Sequence, residues 1–140
     1  MIKIEINRLN DAFHFVASNE NGNTVHIDAS PEIGGTNQGM RPMQMLLAAF
    51  GGCSSIDVVN ILKKQKQDLR DIKITVTGER EDGAVPSLFV NVHAHFKLFG
   101  KLDNDKAEKA VSLSVDKYCS VAKTLEKTAK VTYSFEIIEA

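Results

Sequence analysis

The chain has 140 residues, 43% of them apolar, with 17 lysines and arginines against 18 aspartates and glutamates and a formal net charge of −1. Such a size and apolar share fit one ordinary globular domain, 1–140, and argue against a disordered chain. The even charge balance argues against a general binder of nucleic acid or anionic membrane, which needs a basic excess or patch. The lysines of "KKQKQ" and "KAEKAV" read as solvated helix faces.

The start "MIKIEIN" sets Ile2, Ile4 and Ile6 on one face against Lys3 and Glu5, which is strand periodicity. No apolar leader core follows it, and this points to a cytoplasmic protein. "AFHFVASNENGNTVHIDAS" reads as two strands around a polar turn at Asn21-Gly22, a pair that tolerates positive φ. "SPEIGGTNQGMRP" is too rich in glycine, proline and asparagine for a regular element, and is either a binding-site rim or a connector.

From Met43 to Gln67 the composition predicts one long helix, with Pro42 in its first turn. Its first half, Met45 to Phe50, is apolar nearly all round and must be enclosed by a sheet, another helix or another subunit. The glycines at 51 and 52 predict close packing at that level, and they leave the apolar run short of a clean membrane span. "DIKITVTGER" and "SLFVNVHAHFKLFG" alternate and predict an antiparallel hairpin, the second strand through Leu88, Val90, Val92, Ala94, Phe96 and Leu98. A helix over 104–116, a break at "KYCS", a short helix "VAKTLEK" capped by Ser120, and a strand burying Val131, Tyr133, Phe135 and Ile137 complete an α+β order.

The two cysteines carry the chemistry. A reducing cytosol disfavours a permanent disulfide, so they are free, metal-binding or redox-active. Cys53 sits in "LLAAFGGCSS", where a small core side chain is the ordinary reading; Asp57, one turn later on the same face, is unusual for a largely buried helix. Cys119 precedes a short helix whose amides and dipole favour a thiolate. His93 and His95 share a strand face, but no CxxC or HxxH motif accompanies them, so neither a metal site nor a cofactor is expected. The glycines of "GGTNQG" do not form a phosphate loop.

"RPMQMLLAAFGGCSSIDVVNILKK", "VDKYCSVAKTL" and the hairpin "ITVTGEREDGAVPSLFVNVHAHFKLFG" together resemble the OsmC/Ohr superfamily of cysteine-dependent, peroxiredoxin-like proteins, in its small OsmC-like branch. The resemblance implies antiparallel sheets around long central helices in an intertwined homodimer, with the region 1–40 contributing to the dimer. It implies a peroxidatic Cys53 and a resolving Cys119, an organic hydroperoxide as substrate and a cellular dithiol as reductant, with no nucleic-acid or membrane partner. Family members use a hairpin arginine and a glutamate near the start of the long helix. Here Met43 stands at the glutamate position and the hairpin has no arginine, which leaves Arg41, Gln44, Asp57 and Arg80 as the polar binding candidates. A ligand-binding or redox-sensing dimer without efficient turnover is the alternative, and a purely structural dimer a third reading.

Overall fold

A computed structural model describes residues 1–140 and divides them into two compact units, 1–46 and 47–140. The first unit holds a three-stranded antiparallel sheet of β1 (Glu5–Arg8), β2 (Phe15–Ser18) and β3 (Thr24–Ile27). The β2–β3 turn is organised by Asn19, whose Oδ1 accepts from the backbone N–H groups of Asn21 at 3.1 Å and Asn23 at 2.9 Å. Gly22 closes it at φ 86°, a left-handed conformation that costs glycine little. Ile6, Ala17 and Val25 share one register row; Ala17 is buried, while Ile6 and Val25 stay 58% and 49% exposed. The strand predicted at the amino terminus therefore forms, but nothing in this unit covers its apolar face.

The segment after β3 is a fastened connector. Asp28 is buried, and its carboxylate accepts from the backbone N–H groups of Ala29, Thr36 and Gln38 and from Thr36 Oγ1. Four donors on one carboxylate hold its pKa down at about 2, against an ordinary 3.8. The Gln38 amide is the largest cause, and burial opposes it.

The long helix is α1 (Pro42–Lys64). It ends three residues short of the expected Gln67, because Lys66 turns into the left-handed region at φ 59°. By length and composition alone it could cross a membrane, a test that the core helix of a globular protein also passes. In the second unit it is a core helix. Phe50, Ser54, Val58 and Leu62 are buried at four-residue steps, one stripe of the helix. A Cβ added to Gly51 would stand 3.0 Å from Val76 Cγ2, so the glycine lets α1 approach the sheet. Gly52 has open space around it and plays no such part.

That sheet comprises β4 (Asp68–Arg80), β5 (Phe89–Lys101) and β6 (Lys130–Ile138). The β4–β5 pair is antiparallel and matches Ile72 with Leu98, Ile74 with Phe96 and Val76 with Ala94. A register shift where Glu79 faces Asn91 and Arg80 faces Phe89 leaves Val90 as an extra residue. The unbroken alternation expected from Leu88 is thereby corrected: Phe89 is buried, while Leu88 and Val90 are exposed.

β6 pairs with β5 in parallel. The connection between them runs through α2 (Asn104–Leu113), a wide π-type turn (Ser114–Tyr118) and α3 (Ser120–Leu125). Asp103 caps α2 through Lys106 N–H at 3.0 Å. Val131, Tyr133, Phe135 and Ile137 are half-buried here, not fully enclosed as expected, because β6 is an edge strand.

Candidate active site

Cys53 and Asp57 stand one turn apart on α1, the spacing that brings side chains onto one helix face. Cys119 comes from the start of α3. The π-type turn ends with Cys119 N–H donating to Ser114 O at 2.7 Å, and extended backbone at Cys119 then starts α3. A π-type turn adds a residue to the helical repeat and so re-aims the side chains beyond it. The result is that both sulfurs and an Asp57 carboxylate oxygen lie within 4.8 Å of one another. Both cysteines are free thiols, Cys53 half-buried and Cys119 fully enclosed.

Cys119 itself caps α3, its Sγ accepting from Ala122 N–H at 3.3 Å, so the cap lies one residue before the expected Ser120. Ser54 Oγ donates to the same sulfur at 3.4 Å. Ser114 Oγ has one proton and two neighbouring acceptors, Ser54 O at 3.1 Å and Asp57 Oδ2 at 3.4 Å. Burial pushes the Cys119 pKa up from its ordinary 9.0, against the lowering pull of Ser54 and Ala122, and the neighbouring Cys53 raises it further. The helix-start environment therefore does not make Cys119 a ready thiolate, because desolvation outweighs two weak donors.

The remaining polar candidates are engaged elsewhere. Arg41 Nη1 donates to Asn37 Oδ1 at 2.9 Å and to Gly39 O at 3.1 Å. Gln44 Oε1 accepts from Arg41 N–H at 3.1 Å, half of a capping box at the start of α1. Arg80 donates twice to Ser87 O, at 3.1 and 3.0 Å, in the β4–β5 turn. No arginine nitrogen is hydrogen-bonded to either sulfur. Of the sequence candidates the fold thus gathers Cys53, Asp57 and Cys119. It adds Ser54 and Ser114, which no motif marks; only the adjacency of Ser54 to Cys53 in "GGCSS" hinted at one of them.

His93 and His95 form a different feature. Thr132 Oγ1, His93, Ser134 Oγ, His95 and Glu136 make a continuous chain of contacts of 2.7, 2.9, 2.7 and 3.2 Å across β5 and β6. Their ring nitrogens are already occupied by hydroxyls and a carboxylate. Both rings are half-buried.

Residues 35–134 match the family model for OsmC-like protein. Protein YhfA of Escherichia coli K12 is 48% identical over 100 residues, covering 71% of this chain and 74% of that protein. Organic hydroperoxide resistance protein-like 1 of Staphylococcus epidermidis RP62A is 26% identical over 120 residues, 84% of each chain. The crystal structure of a hypothetical protein from Aquifex aeolicus VF5 superposes with a TM-score of 0.86 at 29% identity, over all of this chain and 98% of the other. A cluster of one cysteine on the long helix and one at the start of α3, an α+β frame and these matches agree: the chain belongs to the OsmC-like family of the OsmC/Ohr superfamily.

Proposed function

We propose that this chain is a cysteine-based thiol peroxidase that reduces organic hydroperoxides, with Cys53 peroxidatic and Cys119 resolving. The observation that carries this reading is a half-buried thiol on α1 with a second, enclosed thiol in the same 4.8 Å cluster. The Cys53 thiolate attacks the outer peroxide oxygen and the O–O bond breaks. The departing alkoxide takes a proton and leaves as an alcohol, and Cys53 becomes a sulfenic acid. The Cys119 sulfur then attacks Cys53, an S–S bond forms and water leaves. A cellular dithiol returns two electrons by exchange and becomes a disulfide itself. The high pKa of Cys119 suits a thiol that waits for this second step.

The working form is a cytoplasmic homodimer to which the region 1–40 contributes. The uncovered faces support it: Ile56 is 71% exposed and Val59 42% on α1, and only 28% of the helix's most apolar window is buried within the chain. A redox-sensing or ligand-binding dimer with little turnover is the second reading. It is favoured by Arg41 and Arg80, whose guanidinium groups are held by backbone carbonyls and, for Arg41, by Asn37.

Stopped-flow mixing of the reduced protein with an alkyl hydroperoxide tests the proposal. Wild type should consume peroxide and form a Cys53–Cys119 disulfide. Cys119→Ser should stop at a sulfenic acid that a trapping reagent captures. Equal rates in wild type and Cys53→Ser would refute the peroxidase reading.

A further inference from the structure

We propose that Cys53, Asp57 and Cys119 form a three-ligand site for one divalent cation of the zinc class, with solvent in the fourth position. Two thiols and one carboxylate oxygen already lie within 4.8 Å of one another. Tetrahedral zinc, with bonds of about 2.0–2.3 Å, sets its ligands roughly 3.3–3.8 Å apart, so the cluster needs to contract by only about 1 Å. The two ligands on α1 are fixed by helical spacing, and the third by the cap position of α3. A site on regular elements holds its geometry better than one on loops.

Two of the three ligands already have hydrogen-bond neighbours that fix their direction. Cys119 Sγ accepts from Ser54 Oγ and Ala122 N–H, and Asp57 Oδ2 lies 3.4 Å from Ser114 Oγ. Donors of this kind orient ligands. Fully ionised, the trio carries three negative charges, yet no lysine or arginine is paired with Asp57 or bonded to either sulfur. A dication supplies the missing charge. Thiolate ligands select zinc over calcium or magnesium. Cys53 and Asp57 are half-buried, which leaves the cluster open on the side of α1. Metal binding needs both thiols reduced and ionised, so it releases two protons and excludes the disulfide. The site stands on donor geometry alone and does not depend on peroxide turnover.

The test is a titration of Co²⁺ into the reduced, metal-free full chain, monitored by its thiolate-to-cobalt charge-transfer absorption and then by displacement with Zn²⁺. The expected result is one saturable cobalt per chain, displaced by zinc, with both thiols protected from alkylation while metal is bound. Asp57→Asn and Cys53→Ala, at half-buried positions, should each weaken cobalt by about tenfold or more. Circular dichroism checks the fold of both variants. Absence of the charge-transfer band in wild type overturns the proposal, as does unchanged affinity in Asp57→Asn or Cys53→Ala. Peroxide consumption is measured separately on metal-free protein, so a failure of the peroxidase reading is distinguishable from a failure of this one.

Discussion

Asp28 and Cys119 are both enclosed ionisable groups, and their surroundings push them in different directions. At Asp28 hydrogen bonds win and the pKa falls to about 2; at Cys119 burial wins and the pKa rises. A depressed carboxylate contributes stability that is complete above its unfolded value of 3.8 and is lost as pH falls through about 2. Thermal melts should therefore show wild type losing stability between about pH 4 and pH 2, while Asp28→Asn should start lower at neutral pH and change less across that window. The asparagine would turn an amide donor toward backbone donors. Neither outcome was legible in the sequence. Asp28 stood unremarked in "HIDAS", because its donors at Thr36 and Gln38 lie across a loop. The helix start after Cys119 was legible, but the burial that sets the thiol's pKa is a tertiary property.

Elements with a strong period were legible, and their deviations arise from single residues. α1 emerged from composition with its start intact, and the four-residue stripe from Phe50 to Leu62 is what a core helix requires. Leu62 is fully enclosed, so Leu62→Ala should cost about 2–5 kcal/mol, read as a lower midpoint with unchanged slope in urea unfolding. In β5 the alternation held from Val92 to Leu98 and failed at Val90, where a bulge flips the parity. A bulge depends on the partner strand, and one strand's alternation cannot show it. The π-type turn before Cys119 is the same case among helices: the sequence showed a break at "KYCS", but not the extra residue that aims the sulfur.

At the scale of the whole molecule, the apolar surface left by one chain decides the assembly. Ile56 and Val59 lie with Ser55, Asn60 and Lys63 around a shallow depression on α1. Aspartate at both apolar positions should convert the proposed dimer into a monomer by light scattering after size exclusion, while the far-ultraviolet dichroism stays near wild type. A wild-type chain that is monomeric at the same concentration would remove the homodimer. The family resemblance identified the frame before any coordinates, because two separated cysteine motifs and a hairpin agreed on it. It could not supply the local polar shell of Ser54 and Ser114.

The parallel union of β5 and β6 also sets a timetable for the nascent chain. β5 is complete once Lys101 has been made, but its second neighbour begins only at Lys130. At about 5–20 residues per second, the intervening stretch takes roughly one to six seconds to synthesise. Throughout that interval the amides and carbonyls that β6 will later engage stand open beside Val92, Phe96 and Leu98. For those seconds the growing polypeptide presents a sticky border to its ribosomal neighbours, and chaperone demand during expression should concentrate there.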